Sequence, residues 1–381
     1  GVERCLFGNG KELHFKKLMD FDTIGGKSNK NGARFDLDAM YVNWLGLSLK
    51  CYLPKSENSL SYVWESLKGK ISYCNIKRLM FSSGWRYYAE IVVSGAAPTR
   101  VSIGTSTMGI DPGVSTIAGV SEDACVLEEL APNAIQYEKK IQKISQSMDR
   151  SRRISNPNKY NEDGTINRSN RDPWKYSKNY VKMCRLLKSL YRKKHAYIVD
   201  SHRELCNKLI TIAKYFPVEK MHFQALQKKA KETRRQEKKT EVKQKDGTVK
   251  VIQKYKRKKR FGRSINRRAP ARFLLELKRK AEAVGGVYAE VDTKEFKASQ
   301  YNHVTDTYEK IPLSQREKEI GNRKVQRDLY SAFLIRNADL DFKHPDREKC
   351  EYEFEHFANL QDQLILKMKE SGLSMRQCFG F

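Results

Sequence analysis

The sequence predicts an α/β protein with a separate β-rich part at its amino-terminal end. Three observations carry that reading. Residues 1–103 hold the strand-like runs RFDLDAMYV (34–42), LGLSLKCYL (45–53) and WRYYAEIVVSG (85–95), which alternate or stay apolar. Residues 108–131 break into three short apolar runs separated by turn residues, the pattern of an antiparallel meander. Helical periodicity then alternates with the strand-like segments KYFPVEKM (214–221) and VYAEVDT (287–293).

Taken in order, SLSYVWESLKG (59–69) reads as a short helix, so the β-rich part is expected to be a small barrel or sandwich. The chain opens on Gly1 without a Met, and further chain is expected before it. TRVSIGTST (99–107) reads as a linker. STMGID enters the first strand of the meander, PGVS turns it, TIAGVSE returns it and ACVLEELA adds a third strand. Residues 133–150 are helical by pattern, whereas 147–169, basic and rich in Asn, Ser and Gly, read as a loop. A long helix is expected over about 176–215, and the next strand ends at Glu219.

Residues 227–268 are a charge run, with 19 Lys and Arg against 4 Asp and Glu. RFLLELKRKAEAVGG (272–286) is a helix with a glycine stop, 298–322 reads as irregular, and VQRDLYSAFLIRN is a helix opening near Asp328. The remainder, 339–381, reads as a helical tail, and no internal repeat is present.

A formal net charge of +29 over 381 residues calls for a polyanionic partner, and its spread along the chain favours nucleic acid over an anionic membrane. No apolar run reaches the roughly 20 residues of a membrane span, and no signal peptide is visible, so a cytoplasmic, nucleoid-associated protein is expected. The eight cysteines form no C-x-x-C pair and none lies at zinc spacing from a His, so free thiols are expected. Trp85 and Trp174 read as core residues rather than base platforms.

Three widely spaced acids lie in three different local settings: Asp111 in MGIDPGVSTIAGVSED (108–123), Glu219 in FPVEKMHFQALQKKAK (216–231) and Asp328 in RKVQRDLYSAFLIRN (323–337). Phosphodiester hydrolysis needs an activated water and a sink for developing negative charge, which divalent ions held by carboxylates supply. Mg²⁺ prefers hard oxygen ligands, with Mn²⁺ an alternative, and Asp and Glu are the fitting residue types. Gly109 and Gly113 beside Asp111 are expected to let a phosphate backbone approach, and Ser331 and Ala332 to let the helix of Asp328 pack closely on a sheet. Each acid alone also fits a bland role, as a turn residue, a solvated strand end or a helix cap. The order of elements resembles the RNase H-like nuclease fold.

The three segments resemble the three RuvC motifs of TnpB proteins, transposon-encoded RNA-guided DNA endonucleases related to type V CRISPR effectors. RKKRFGRSINRRAPARF (257–273) and EVDTKEFKASQYNH (290–303) are similar to stretches between the second and third motifs. The resemblance spans most of 10–345. It implies that Asp111, Glu219 and Asp328 are the metal-binding catalytic acids, that Mg²⁺ is the cofactor, and that guide RNA and target DNA are the partners, with no membrane. It divides the chain into a wedge-like β domain (1–103), RuvC-like segments (104–226 and 269–297), a basic nucleic-acid-binding segment (227–268), a target-strand-binding insertion (298–322), and the third motif with its tail (323–381).

Two departures bear on these expectations. Many TnpB proteins carry a four-Cys zinc ribbon before the third motif, whereas 298–322 has no Cys and one His, His303, so no zinc is expected there. The recognition helices of the family are absent or reduced in 1–103, and the flanking-motif reader is in question. Within the basic segments Lys228, Lys229, Arg257, Lys258, Lys259, Arg260, Arg263, Arg267 and Arg268 are the expected nucleic-acid contacts, together with Arg150, Arg152 and Arg153. The 227–268 run is expected to be partly disordered without nucleic acid. Two other functions remain open at this point: a protein-only nuclease of the junction-resolvase kind, and a catalytically silent RNA-guided binder.

Overall fold

The structure, a computed structural model, describes residues 21–95, 97–99, 101–227, 235–243, 249–255, 261–312 and 315–373. The chain divides into two compact units, one of Gly1–Pro98 with Gln136–His195 and one of Thr99–Ile135 with Ala196–Phe381. The sequence reading kept 136–195 with the acid-bearing segments, whereas contacts group it with residues 1–98.

In the first unit, strands β1 (Thr23–Gly25), β5 (Lys70–Phe81) and β6 (Gly84–Ser94) form one antiparallel sheet, and β2 (Arg34–Asp36), β3 (Tyr41–Trp44) and β4 (Leu47–Lys50) form a second. The run 34–42 is therefore two strands of a hairpin rather than one. Asp36 Oδ1 accepts the Ala39 amide at 3.0 Å, an Asx turn, and Met40 adopts φ 56° to close it. Helix α1 (Glu57–Leu67) contributes Leu67 to the core that Phe35, Val42 and Cys74 share between the sheets, the sandwich alternative. The long hairpin of β5 and β6 turns at Gly84, φ 122°. β5 escaped the sequence reading because KISYCNIKRLMF carries polar residues on both alternating faces.

Helix α2 (Ala134–Ser155) runs past the expected start of a loop at 147. Asp149 explains the extension: it pairs with Arg152 and Arg153, both at 2.8 Å, one turn on. The turns that follow are organised by buried Asn156, whose side chain donates to the Arg152 and Lys175 carbonyls and accepts the Lys175 amide. Helix α3 (Lys178–Ile212) has 35 residues.

The second unit is built on a mixed sheet in the order β10-β9-β8-β11-β14. The expected meander forms: β8 (Gly109–Pro112), β9 (Thr116–Val120) and β10 (Cys125–Glu129) are antiparallel neighbours. β11 (Ala213–Glu219) then runs parallel to β8 and to β14 (Val287–Val291), and β7 (Ser106–Thr107), inside the expected linker, adds to β11. Parallel strands need both faces covered. One face is covered by the end of α3 and by α6, which follows α4 (Phe223–Gln227) and α5 (Gly262–Arg268); α6 (Pro270–Ala283) buries Phe273 and Leu277. After α7 (Thr293–Phe296), helices α8 (Arg327–Arg336) and α9 (Arg347–Glu370) cover the other, with Phe333, Phe354 and Phe357 buried.

Within 227–268, the described strands β12 (Arg235–Lys243) and β13 (Val249–Tyr255) pair antiparallel. The segment 298–322, read as irregular, holds a two-residue ladder of β15 (Tyr301–Asn302) with β16 (Thr307–Tyr308) and a hairpin of β17 (Glu317–Ile320) with β18 (Arg323–Gln326). Its anchor is His303, buried against Tyr330 and Phe354, with Nδ1 2.8 Å from the Tyr330 hydroxyl. Burial pushes the His303 imidazole down to about 4, so it packs as a neutral ring.

Candidate active site

The sheet brings Asp111 and Glu219 together because β8 and β11 are adjacent and parallel, with Ile110 in register with Val218. Each acid follows a buried residue, so the two carboxyls reach the same carboxyl-end edge, where ligands of open α/β sheets gather. Asp328, in the first turn of α8, reaches that edge because α8 packs directly on β8. Gly109 makes this packing possible: a Cβ there would lie 2.1 Å from the Ala332 carbonyl oxygen and 2.3 Å from the Arg336 amide nitrogen. The glycine was expected to admit a phosphate backbone, but what it admits is helix α8. Gly113 serves the Asp-Pro-Gly turn, its amide donating to the Thr116 carbonyl at 2.9 Å. Ser331 and Ala332 are fully buried at the contact, as their size implied.

The three acids line one open cleft of about 1740 Å³. The Asp111 and Glu219 carboxyls face one another across the cleft and interact directly. Burial first, then the negative charges of Glu219 and Asp328, push the Asp111 carboxyl well above the usual range, against the opposing charge of Arg327. Burial likewise raises Glu219, offset by its hydrogen bonds with Asp111 and Thr293. Asp328 is held by guanidinium groups instead: Arg327 Nη2 at 3.0 Å and Arg316 Nη1 at 3.5 Å, with the Gln326 amide at 3.3 Å.

Among the described residues no three His, Cys, Asp or Glu side chains close into a cation site as they stand. The donor set nonetheless suits a hard divalent ion. Burial and mutual charge disfavour ionisation of Asp111 beside Glu219, a penalty a cation would relieve, and the third carboxylate is paired with arginines whose place a cation would take.

A pH dependence follows. Because the Asp111 carboxyl is raised above 3.8, the folded chain holds a proton that the unfolded chain has released, and stability falls as pH rises through that window. Thermal unfolding in chelator is expected to show this decline as pH rises above the usual carboxylate range. Added Mg²⁺ is expected to stabilise more at the upper end, where no proton competes. A Mg²⁺ effect that shrinks as pH rises would contradict the raised Asp111 carboxyl.

The remaining expected contacts fall into three groups. Arg268 lines the same cleft and pairs with Glu129, while Arg263 is exposed and Arg267 half-buried on α5. Arg150, Arg152 and Arg153 lie on α2 in the first unit. Arg152 sits 5.5 Å from the Trp174 ring centre and Arg153 4.5 Å from that of Tyr160, so both are engaged within the fold. Lys228, Lys229, Arg257, Lys258, Lys259 and Arg260 lie outside the described residues. Trp85 and Trp174 are half-buried and capped by cations rather than set in a core.

The sequence reading missed Thr293, Arg316 and Arg327. Arg327 adjoins Asp328 in the chain, and the alternation EKEI-GN-RKVQ around a Gly-Asn turn would have revealed the hairpin that follows Arg316.

The fold and site define an α/β protein with a mixed sheet and an acidic cleft. No protein-family model matches the chain, and no curated protein matches it. Among solved structures it is similar to a Cas12f1–sgRNA–target DNA complex, at 12% identity and a TM-score of 0.43, over 74% of this chain and 48% of that one. It is also similar to a CRISPR-Cas12f ternary complex, at 15% identity and a TM-score of 0.34, over 83% of this chain and 51% of that one. The chain thus spans about half the length of these structures.

Proposed function

We propose that this chain is a divalent-cation-dependent DNA endonuclease of the RNase H-like kind, directed by a guide RNA. One observation carries the nuclease reading. Asp111, Glu219 and Asp328, roughly 110 residues apart in sequence, meet in one cleft, where burial and one another's charges act on the Asp111 carboxyl. The meander with parallel strands added beside its first strand supports the RNase H-like class. The guided part rests on the resemblance of the acid-bearing segments to the TnpB motifs and on the net charge of +29.

Asp111, Glu219 and Asp328 would hold Mg²⁺ or Mn²⁺, which when bound supplies water activation and charge stabilisation. The chain's own residues prepare that chemistry. Thr293 and burial orient Glu219, and Arg316 and Arg327 balance the Asp328 charge while no cation is present. Lys310 and Lys324 at the cleft offer counter-charge to an entering phosphate backbone.

The test is to co-express the chain with its native flanking locus, recover any bound RNA and offer a matching DNA target with Mg²⁺. Cleavage that needs both the RNA and the cation is the expected result. Cleavage of branched DNA with no RNA would assign the junction-resolvase kind instead, and guided binding without cleavage would assign a silent binder.

A further inference from the structure

The first unit carries a rack of cations seated on aromatic rings. Near the β5–β6 turn, the Arg78 guanidinium lies 4.3 Å from the Trp85 ring centre and the Lys188 ammonium 4.6 Å from it. Phe81, at the same turn, holds Arg86 at 4.5 Å and Arg192 at 3.8 Å. Lys188 and Arg192 are one helical turn apart on α3, so the same contact repeats along the helix axis. Arg192 Nε also donates to the Met80 carbonyl at 3.1 Å.

The nature of these partners decides what the rack is for. A ring face or a carbonyl fixes a cation in place without cancelling its charge. Arg78 and Lys188 share a single carboxylate, Asp22, at 3.0 and 3.4 Å. Among the described residues Arg86 and Arg192 form no ion pair. From Lys188 the stripe continues toward the start of α3 through exposed Arg185, Lys182 and Lys178, at intervals of three, three and four residues. Lys178 to Arg192 covers about 21 Å of helix at 1.5 Å per residue. A purely structural set of ion pairs would bring acids to these cations, and here the rings take their place.

We propose that this face of the first unit binds the phosphate backbone of a duplex RNA. Lys182, Arg185, Lys188 and Arg192 contact phosphates, and Trp85 and Phe81 pre-orient the last two. The choice of RNA rests on the guided-nuclease reading, in which the RNA stays bound while DNA targets exchange. Cations ordered before binding lose less freedom on contact, which favours slow release and so the resident partner.

The experiment measures affinity of the full chain for a labelled RNA hairpin across a salt series in chelator, with a DNA duplex of the same sequence in parallel. Without divalent cation no cleavage step enters. Changing Lys182, Arg185, Lys188 and Arg192 together to Gln is expected to make the log-affinity against log-salt slope shallower by about 3.6, near 0.9 for each of the four lost contacts. Changing the exposed Lys343, Lys367 and Lys369 to Gln is expected to leave the slope within about one unit. Trp85→Leu keeps every charge, and RNA affinity is expected to fall several-fold with little change of slope. A quadruple variant with the slope of the control would overturn the site, and an unchanged Trp85→Leu affinity would overturn the rack. A loss confined to the DNA duplex would overturn the choice of RNA. Failure of the intact chain to bind RNA at all would overturn the guided reading itself, whereas RNA binding untouched by the quadruple change would overturn only this face.

Discussion

Asp111→Asn is expected to reduce strand cleavage by about 10³-fold or more while raising the melting temperature of the chain. The loss follows from removing one of three carboxylates that would hold the cation, a contribution of several kcal/mol to the barrier. The gain follows from the same geometry. In the native chain the Asp111 carboxyl is hemmed in by burial and by the charges of Glu219 and Asp328. Asparagine keeps the shape and can donate to Glu219, but it never ionises. RNA affinity in chelator is expected to be unchanged. Cleavage assays paired with thermal unfolding at pH 7.5 check both halves. A variant that loses cleavage and also melts lower would show that Asp111 is a structural carboxylate, not a strained functional one.

Gly109→Ala is expected to have the largest effect on stability. The added methyl would meet the Ala332 carbonyl oxygen at 2.1 Å and the Arg336 amide nitrogen at 2.3 Å, both main-chain atoms of α8. A helix backbone cannot rotate aside as a side chain does, so α8 must be pushed off the sheet. Overpacking typically costs about 1–3 kcal/mol and more where backbone must move, so a loss of about 3 kcal/mol or more is expected. Since α8 carries Asp328, displacement also separates the third acid from the other two, and cleavage falls even below the melting temperature. Gly119→Ala, on the neighbouring strand β9, is the comparison. Its methyl would meet only the Met108 Sδ at 3.1 Å and the Ile110 Cδ1 at 3.2 Å, side-chain ends that can shift. Equal losses in the two variants, measured by calorimetry, would refute the helix-contact account.

The parts legible in the sequence were those fixed by local pattern. The meander announced itself through Asp-Pro-Gly and three apolar runs, and α3 and α6 through their periodicity. The three acids stood out by resemblance, and the structure added their shared cleft. What stayed hidden depended on distant partners. Gly109 was read toward a ligand because nothing in MGIDPG says that a helix more than 200 residues later will lie on it. Trp85 was read as core because its cation partner Lys188 is remote in sequence, and Arg316 was passed over because its contact with Asp328 needs the intervening hairpin. The β12–β13 pairing was obscured by net charge, although Asp246-Gly247 between its strands is a hairpin signal.

The wide separation of the three acids also has a consequence for synthesis. A chain on the ribosome acquires Asp111 and Glu219 long before Asp328, with roughly 110 residues still to be added. At bacterial to eukaryotic elongation rates that interval lasts about 5–20 s. During it the sheet can pair while α8 is unmade, and the acidic cleft lacks one wall. Premature release anywhere before Asp328 leaves a fragment that keeps basic segments but lacks the third acid. The order of the segments therefore means that the acidic set is completed only after most of the basic segments have been made.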